Sequence, residues 1–289
     1  MIQSQCGICS RQNFKPVFDK KSKKGETFHI VICKNCHTLQ TLPRPSISEL
    51  SSYYQDSYFE KRTDRGYNNY KSASIQKEIS RVFEMNLTDL RFFSVEPSLL
   101  AAGARALDVG CAAGYFVEFL AKRGWQSEGI EISKPMAEFA QSRGLKVQHG
   151  DFLESTTDQD FAQYNLISLW ASLEHFAEPV RLIQRLSESL KPGGSLILST
   201  CRRGLLSWLT GPNWRYMNVP EHLFFFSLAG IKSIFAEYGF ECIKSISYGS
   251  GFTTKQNASI GYRFAKRILD PLVKRLNQGD MMALHFRKR

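Results

Sequence analysis

Two Cys-x-x-Cys pairs lie near the start of the chain: Cys6 with Cys9, and Cys33 with Cys36. The segment between the pairs predicts a β-hairpin, with its turn at 20–26 and its return strand at 28–32. Two such pairs predict a tetrahedral thiolate site, which suits Zn²⁺ because this ion is soft enough for sulfur and does no redox chemistry. Four sulfur ligands leave no open position, so the metal is expected to stabilise the fold only. An iron–sulfur centre and unligated thiols are the alternatives.

A strand, a glycine turn and a helix follow one another in residues 106–125, ALDVGCAAGYFVEFLAKRGW. Asp108 stands at the end of the predicted strand, and Gly110 and Gly114 bracket the turn. Glycine permits a positive φ and lets a ligand approach the backbone. Glu131 ends a second predicted strand about twenty residues further on, where such folds bind ribose hydroxyls. This arrangement predicts an α/β nucleoside-binding core.

The residues of the glycine turn favour one class of cofactor. The turn lacks the central glycine of the G-x-G-x-x-G sequence that seats a pyrophosphate on a helix N-terminus, and an aspartate precedes it. It resembles the class I S-adenosylmethionine (SAM) methyltransferases. The resemblance implies contacts to the methionine part, the ribose and the adenine of SAM, in that order: Asp108, Gly110 and Gly114; Glu131; and Asp151 with Phe152. Further expected cofactor contacts are Cys111, Ile132 and Trp170.

The resemblance continues downstream. Residues 164–174, YNLISLWASLE, predict a buried strand that ends in a loop, and a helix at 180–190 and a turn with a strand at 190–200 follow. Asn165 and Ala171 stand where the family often has aspartate. These two departures keep open a SAM-binding or zinc-ribbon interaction protein without catalytic activity.

Glu221 and His222 are the expected catalytic pair, with His175 as a second candidate. Methyl transfer from a sulfonium is an in-line displacement, so the enzyme mainly aligns the reactants. A sugar hydroxyl or a carbon beside a ketone must also lose a proton, which His222 can accept. The resemblance supports this role, because an equivalent Glu-His pair followed by aromatics lines the active site of sugar C-methyltransferases, and residues 224–226 are aromatic here. A purely structural role for either histidine is the alternative.

The elements that must position these residues divide the chain into three parts. They are a zinc ribbon (1–45), a helical linker and substrate-side cap (46–100), and a methyltransferase domain (101–289). The expected fold is α/β: a class I, Rossmann-like sheet with helices on both faces and an antiparallel last strand at its edge, where 281–286 pairs with 243–248.

The N-terminal parts resemble a subgroup of SAM methyltransferases that act on nucleotide-linked sugars and polysaccharide precursors. The resemblance rests on the cysteine pairs, the Pro-Arg-Pro exit at 43–45 and the sequence YYQDSYF at 53–59. It implies a nucleotide-linked sugar or other glycan precursor as the acceptor, methylated on oxygen or carbon. It also makes Tyr53, Tyr54 and Tyr58 candidates for the substrate pocket, with packing between domains as the alternative. The further C-terminal domain of the sugar C-methyltransferases has no counterpart in this sequence, which puts C-methylation in doubt.

Residues 257–278 predict a basic amphipathic insertion between the last two strands. Its apolar stripe consists of Ile260, Phe264, Ile268, Leu272 and Leu276. The helix is expected to break at Pro271, with Asp270 capping a second short helix. The stripe could lie on an anionic membrane or pack on the core. Quinone-pathway O-methyltransferases use a comparable insertion but lack the ribbon, so they are the second family considered.

The net charge of +11 is concentrated at the two ends of the chain. Residues 1–50 hold eight Lys/Arg against three Asp/Glu, and residues 251–289 hold nine against two. The ends are therefore expected to meet an acidic partner: a nucleotide phosphate, an anionic membrane or RNA. Against RNA, the loop WASLEH lacks the Asn/Asp-Pro-Pro-Tyr box used to methylate exocyclic base nitrogens.

Several cellular contexts are disfavoured by the composition. The sequence has no apolar run of roughly 18 residues, no apparent signal segment and an odd number of cysteines, seven. A cytoplasmic location is expected, with peripheral membrane contact as an open alternative. The oligomeric state stays open.

Overall fold

The computed structural model of the chain describes residues 5–46, 49–50, 53, 69–101, 103–155, 162–251 and 259–289. Its strands, in chain order, are β1 (Phe14–Lys21), β2 (Thr27–Cys33), β3 (Leu39–Leu42), β4 (Arg105–Val109), β5 (Gln126–Glu131), β6 (Val147–His149), β7 (Tyr164–Trp170), β8 (Leu190–Cys201), β9 (Phe224–Phe225), β10 (Phe240–Tyr248) and β11 (Met281–Lys288). Its α-helices are α1 (Ala73–Asp89), α2 (Glu96–Ala101), α3 (Tyr115–Ala121), α4 (Lys134–Ser142), α5 (Phe152–Ser155), α6 (Pro179–Ser189), α7 (Leu205–Thr210), α8 (Leu228–Glu237) and α9 (Ile260–Arg275). Short 3₁₀ helices lie at Phe92–Ser94, Leu173–His175 and Gly211–Asn213.

The larger sheet has seven strands in the order β10-β11-β8-β7-β4-β5-β6. Its strands β4 to β8 pair in parallel. Every residue of β7 except Trp170 is buried, as expected for a parallel strand covered on both faces. Helices α6 and α8 contribute to one hydrophobic cluster against this sheet, and α1 and α3 contribute to another. The expected α/β architecture with helices on both faces is confirmed.

The last strand, β11, is antiparallel as expected, but it does not lie at the edge of the sheet. It pairs antiparallel with both β8 and β10, so β10 is the edge strand. The side chains of Ala283, Leu284 and Phe286 are fully buried. The edge placement predicted from the sequence is therefore wrong, because this apolar strand lies between β8 and β10 and forms hydrogen-bonded pairs with both.

The start of β8 also differs from the prediction. The segment 190–194, predicted as a helix stop and turn before a strand at 195–200, lies inside β8, which begins at Leu190. A register shift between Tyr164 and Leu166 of β7 accommodates it.

Helix α9 continues through Pro271 instead of breaking there. Asp270 caps no second helix, because its carboxylate accepts hydrogen bonds from the Ser250 amide at 3.2 Å and from Lys266 Nζ at 2.7 Å. The side chain that was predicted to cap a new helix thus ties α9 to the end of β10.

The apolar stripe of α9 faces solvent. Its described members Phe264, Ile268, Leu272 and Leu276 are 65, 51, 47 and 60% exposed. Helix α7 adds three exposed apolar side chains, Leu205, Trp208 and Leu209. Packing of the stripe on the core is therefore excluded for the described residues. None of the helices in the described ranges combines the length and the apolar character needed to cross a bilayer.

The smaller sheet joins distant parts of the chain. Strands β1, β2 and β3 form an antiparallel meander, and β9 completes it by pairing with β3. Leu39 and Gln40 lie opposite Phe225 and Phe224. The N-terminal hairpin therefore shares a sheet with the segment between α7 and α8.

Candidate functional site

Four cysteine sulfurs converge at the base of the N-terminal hairpin. The sulfur of Cys6 lies 3.5 Å from that of Cys36, and the sulfur of Cys9 lies 3.6 Å from that of Cys33. All four lie within 4.8 Å of one another. Zinc with four Zn–S bonds of about 2.3 Å separates its sulfurs by about 3.8 Å in a tetrahedron. The spacing therefore fits such an ion.

Gln40 of β3 supports this cluster from behind. Its buried side-chain Nε2 donates a hydrogen bond of 2.8 Å to Cys6 Sγ. The Cys36 thiol, followed by backbone amides and Gln40, lowers the pKa of Cys6 to about 4, against the opposing effect of burial. The same hydrogen bond, followed by burial, raises the pKa of Cys36, so the two sulfurs share one proton.

Asp108 and Gly110 lie at the carboxyl end of β4. Asp108 Oδ1 accepts a hydrogen bond of 2.6 Å from Ser168 Oγ. Burial, and then the charge of Glu131, raises the pKa of Asp108 to about 7 although the Ser168 hydrogen bond lowers it. Gly110 has a φ of 71°, and a Cβ at this position would lie 2.8 Å from Ser172 Cβ. Only glycine fits this turn without displacing the end of β7.

Glu131, at the end of β5, binds the backbone of the same turn. Its Oε2 accepts a hydrogen bond of 2.7 Å from the Ala112 amide, and its Oε1 accepts one of 2.7 Å from the Ser133 amide. Burial raises its pKa. Cys111 is buried against β5, where a Cβ on Gly129 would approach its sulfur to 2.6 Å. The Cys111 side chain is thus a packing element, and burial raises its pKa well above the usual value.

Asp151 and Phe152 follow β6. Asp151 Oδ1 accepts a hydrogen bond of 2.8 Å from the Leu153 amide, and burial raises its pKa. Phe152 is buried, and the half-buried Ile132 has its carbonyl 3.2 Å from His149 Nε2. Three neighbouring parallel strands, β4, β5 and β6, therefore end in or are followed by an acidic residue.

Trp170, at the end of β7, carries an unsatisfied donor. Its ring contacts those of Phe83 and Phe116, with centroids 4.8 and 5.1 Å away. Its Nε1 is buried without a hydrogen-bond partner among the described residues. Because an unsatisfied buried donor costs about 1–3 kcal/mol, this edge of the sheet fits a ligand that offers an acceptor. SAM has such acceptors in its carboxylate, hydroxyls and ring nitrogens, and its cationic groups match the acidic strand ends.

A second polar cluster lies just beyond the ends of β7 and β8. One ligand atom each from Glu174, His175 and His222 lies within 4.8 Å of the others. The two imidazole rings are 4.8 Å apart and nearly perpendicular. Glu174 Oε2 accepts a hydrogen bond of 2.8 Å from Thr200 Oγ1, and Cys201 Sγ lies 3.8 Å from His222 Nδ1. Glu174 and His222 are only 1 and 0% exposed.

This histidine cluster adjoins the glycine turn. Ser172, two residues before Glu174, donates a hydrogen bond of 2.9 Å from Oγ to the Val109 carbonyl. The same serine packs against Gly110. The elements that would hold the cofactor therefore also place the cluster beside it.

Strand β3 holds the backbone around His222. Thr41 Oγ1 donates a hydrogen bond of 2.7 Å to the His222 carbonyl, and the Thr41 amide donates one of 3.0 Å to the Leu223 carbonyl. The His222 amide in turn donates to the Asn218 carbonyl at 2.8 Å. These three contacts involve the backbone and not the imidazole, so they fix the chain segment from which the ring projects.

The predicted site residues fall into three places. The cysteines form one cluster, the predicted cofactor contacts border the ends of β4 to β7, and His175 and His222 meet in a third cluster. Glu221, predicted as part of the catalytic pair, contributes its backbone carbonyl, which accepts a hydrogen bond of 2.6 Å from His175 Nδ1. Glu174 was not predicted, although an acid-histidine pair directly after a buried strand was a usable signal.

Of the three predicted pocket tyrosines, only Tyr53 belongs to the described residues. Its hydroxyl donates a hydrogen bond of 2.8 Å to Glu26 Oε2. Burial, then Glu26 and the more distant Glu221, raises the pKa of Tyr53 to about 12. Tyr54 and Tyr58 lie outside the described residues.

Comparison with known proteins supports one family. A family model described as a methyltransferase domain matches residues 75–245. The ubiquinone biosynthesis O-methyltransferase of Idiomarina loihiensis is 32% identical over 114 residues, which cover 38% of this chain and 47% of that protein. The chain spans about half the length of the curated relatives it matches.

Solved structures show the same fold. A SAM-dependent methyltransferase from Archaeoglobus fulgidus has a TM-score of 0.52 at 17% identity, covering 74% of this chain and 94% of that one. The [4+2]-cyclase SpnF has a TM-score of 0.55 at 19% identity, covering 85% and 98%. These similarities establish the fold, and the cyclase illustrates that one fold serves several reactions.

Proposed function

This chain belongs to the methyltransferase-domain family, and from that premise we propose that it transfers a methyl group from SAM to a hydroxyl oxygen of a small quinol-type acceptor. One observation carries the proposal: β4, β5 and β6 have acidic residues at one edge of the sheet, and Ser172 ties the loop that carries Glu174 and His175 to the β4 end of that edge. The first set suits a cationic nucleoside cofactor, and the second suits proton removal. The relatives named as ubiquinone biosynthesis O-methyltransferases support an oxygen acceptor of the quinol type.

The acidic strand ends are the residues that would hold SAM. Bound there, SAM would supply an electrophilic methyl group and a neutral thioether as the leaving group. Asp108 would face the cationic methionine part beside Gly110, Glu131 the ribose hydroxyls and Asp151 the adenine. Trp170 Nε1 would gain the acceptor that the described part of the protein does not supply.

The histidine cluster would accept the proton of the acceptor hydroxyl. A phenolic hydroxyl ionises near pH 10, as in tyrosine, so an imidazole base can assist its ionisation at moderate cost. His175 donates through Nδ1 to the Glu221 carbonyl, which makes Nε2 its basic nitrogen. His222 is the base we propose, because Glu174 lies beside it and would stabilise its protonated form.

The four cysteines would hold a structural zinc ion. Their sulfur spacing fits a closed tetrahedral thiolate shell. Such an ion stabilises the hairpin and the strand β3 that follows it, without a part in the chemistry.

Peripheral contact with an anionic membrane fits the same proposal. Helix α9, which has the exposed apolar stripe, also has five basic residues: Arg263, Lys266, Arg267, Lys274 and Arg275. An apolar stripe beside basic side chains is typical of a helix that lies in the interface of an anionic bilayer. A quinol with an apolar tail would be found there.

A nucleotide-linked sugar is the second candidate acceptor. It is favoured by the cluster of four cysteines, which the sugar-methylating subgroup shares. A sugar hydroxyl is less acidic than a phenol, so it would depend more strongly on the base.

Methyl-labelled SAM tests the proposal directly. The zinc-loaded protein is incubated with a catechol or quinol, with nucleotide sugars or with total RNA, and label is followed into each. We expect label in the quinol, a loss of about 10²–10⁴-fold in His222→Gln, and unchanged turnover in His29→Gln, whose side chain is exposed on β2. Label in sugar or RNA alone, or SAM binding without any transfer, would contradict the quinol assignment.

A further inference from the structure

Arg202 directly follows β8 and lies next to the histidine cluster in the chain. Of the two residues before it, Thr200 donates a hydrogen bond of 2.8 Å to Glu174. The other, Cys201, places its sulfur 3.8 Å from His222 Nδ1. We propose that Arg202 binds an anionic group, a carboxylate or a phosphate, of the acceptor molecule.

The guanidinium of Arg202 is buried without an acidic partner. Arg202 is only 8% exposed. Burial lowers its pKa, and no acid among the residues that the structure describes opposes this shift. Its backbone amide donates a hydrogen bond of 2.7 Å to the Asp280 carbonyl, but the Asp280 carboxylate accepts one of 2.8 Å from Trp214 Nε1 instead. Because a buried charge is costly unless it is paired, a bound anion would compensate the charge of Arg202.

The hydrogen-bond donors of this guanidinium are only partly used. Nη1 donates to the Asn277 carbonyl. Nε is buried and has no hydrogen-bond partner within the described ranges. A guanidinium presents its N–H donors in a planar fork that matches two oxygens of a carboxylate or a phosphate. Since Asn277 engages Nη1, the edge formed by Nε and Nη2 is the one that would bind such a pair of oxygens.

A second buried donor lies on the segment that leads to His222. Asn218 Nδ2 is buried, and no acceptor in the described part of the chain forms a hydrogen bond with it. The Asn218 carbonyl accepts a hydrogen bond of 2.8 Å from the His222 amide, so this residue lies close to the cluster. Guanidinium and amide N–H groups only donate, whereas carboxylate and phosphate oxygens only accept. The unused donors around His222 therefore favour an anionic ligand.

The cost of burying Arg202 also indicates a role in binding. An uncompensated buried charge destabilises a folded protein, and apolar side chains of similar volume often replace buried ionic groups without loss of stability. Arginine keeps its charge even when it is buried. A residue that is unfavourable for folding and that follows the contacts of the proposed base is typical of a functional site.

The anionic group narrows the class of acceptor, and this step rests on the proposed function. A plain quinol is neutral at pH 7, because its hydroxyls ionise at about pH 10. A quinol or catechol whose ring also carries a carboxylate is anionic at that pH, since carboxyl groups ionise at about pH 4. Arg202 would hold the carboxylate while His222 accepts the proton of the hydroxyl. An acidic catechol or quinol, held at these two points, is therefore the expected acceptor.

Two matched pairs of probes test the site without turnover. Catechol and 3,4-dihydroxybenzoate differ by one carboxylate, and uridine and uridine diphosphate differ by their phosphates. Calorimetry at constant ionic strength measures the affinity of the protein for each probe. We expect the wild type to bind one anionic probe about tenfold or more tightly than its neutral counterpart. A preference for the dihydroxybenzoate identifies a carboxylate ligand, and a preference for the diphosphate identifies a phosphate ligand.

Arg202→Gln is expected to lose this preference. Its affinity for the anionic probe should fall by about 10- to 100-fold, because a charge-assisted hydrogen bond is removed. Arg203→Gln is the matched control, since it removes the same charge at the next position, where the side chain donates a hydrogen bond of 2.9 Å to the His37 carbonyl. Equal affinities of the wild type for the charged and neutral probes, or an equal loss in both variants, would overturn the site.

Arg202→Met covers the case in which Arg202→Gln fails to fold. Methionine keeps an unbranched apolar side chain and removes the buried charge. We expect its midpoint of thermal unfolding without ligand to be no lower than that of the wild type, and we expect the anionic probe to stabilise only the wild type. A much lower midpoint, or equal stabilisation of both proteins by the probe, would show that the contact with Asn277 is the role of Arg202.

The labelled-SAM assay distinguishes a failure of this inference from a failure of the proposed function. Binding of an anionic probe through Arg202 without methyl transfer to any acceptor would reject the function and keep the site. Methyl transfer to the dihydroxybenzoate with equal kcat/KM in the wild type and in Arg202→Gln would keep the function and reject the site.

Discussion

Asp108 is a proposed cofactor contact, and its surroundings disfavour the charged form of its carboxyl group. Its carboxyl is buried at the end of β4, where it accepts a hydrogen bond from the hydroxyl of Ser168. Burial and the Glu131 charge raise its pKa from 3.8 to about 7. Between these pH values the folded protein holds a proton that the unfolded chain releases, so stability falls as pH rises through this window. A bound cation would reverse this effect by favouring the ionised carboxylate.

The affinity for SAM is therefore expected to rise with pH around neutrality. With a pKa of about 7 for Asp108 in the free protein, ionisation between pH 6 and pH 8 should strengthen SAM binding about tenfold. Asp108→Asn should bind SAM more weakly and lose this part of the pH dependence. Titration calorimetry across this pH range measures the SAM affinity of both proteins. Titration of SAM itself affects both affinities equally, so it cancels in their ratio. Parallel pH profiles for the two proteins would contradict the assignment of Asp108 to the cofactor.

Residues that lie close together in sequence were the predictable part of the site. The two cysteine pairs, the glycine turn and Glu131 follow from short spacings with a direct physical meaning. The cluster of Glu174 and His222 was not predictable in this way, because their segments meet only through the order of strands in the sheet. Thr200, which orients Glu174, carries no local signal at all.

The pairing of β3 with β9 is the element that links the ribbon to the histidine cluster. Gln40 donates to Cys6 on one side, and its neighbour Thr41 donates to the His222 carbonyl on the other. A hairpin stabilised by the zinc ion that we propose would thus fix the backbone from which His222 projects. The sequence predicted the hairpin but not this pairing, since β9 is only two residues long.

Thr41→Val is expected to reduce turnover while leaving SAM affinity unchanged. The substitution keeps the shape of the side chain and its β-branch but removes the hydrogen bond to the His222 carbonyl. The free energy of unfolding should fall by about 1 kcal/mol, and kcat should fall more than KM changes. Thr27→Val, at an exposed position that begins β2, is the matched control. Equal kcat values for the two variants would show that the Thr41 contact does not position His222.

Two further elements illustrate what the sequence could not determine. The final strand was recognised, but its insertion between β8 and β10 depends on which partners remain open when the sheet closes. The helix break expected at Pro271 was wrong, because α9 continues through the proline. Asp270, expected to cap a second helix, instead accepts hydrogen bonds from Ser250 after β10 and from Lys266 one turn earlier in α9. In both cases the local sequence pattern predicts the element, but contacts with distant residues determine where it lies and what it binds.

At the scale of the whole molecule, positive charge and exposed apolar surface coincide in α9. The stripe from Phe264 to Leu276 is exposed on a helix that is rich in Lys and Arg. Helix α7 carries three further exposed apolar side chains. Soluble monomers rarely leave large contiguous apolar patches in water, so this surface is expected to meet a partner.

Vesicle sedimentation tests the membrane as that partner. We expect binding to vesicles that contain anionic lipid, weaker binding to neutral vesicles, and a decrease with added salt. Ile268→Ser should weaken binding roughly tenfold, since burying such a side chain contributes about 1.5–3 kcal/mol. Val17→Ser is the control, because Val17 on β1 is similarly exposed, at 48% against 51%. An equal loss in both variants would exclude α9 as the docking helix.

The shared sheet also imposes an order on biosynthesis. Thr41 and His222, which the β3–β9 contact joins, are 181 residues apart in sequence. At a synthesis rate of about 5–20 residues per second, β3 waits roughly 10–40 s for its partner strand to be made. During that interval its unpaired edge is open to strands of neighbouring nascent chains. Crowded ribosomes on one message would therefore favour intermolecular pairing of the hairpin, and slow initiation of translation would favour the native fold.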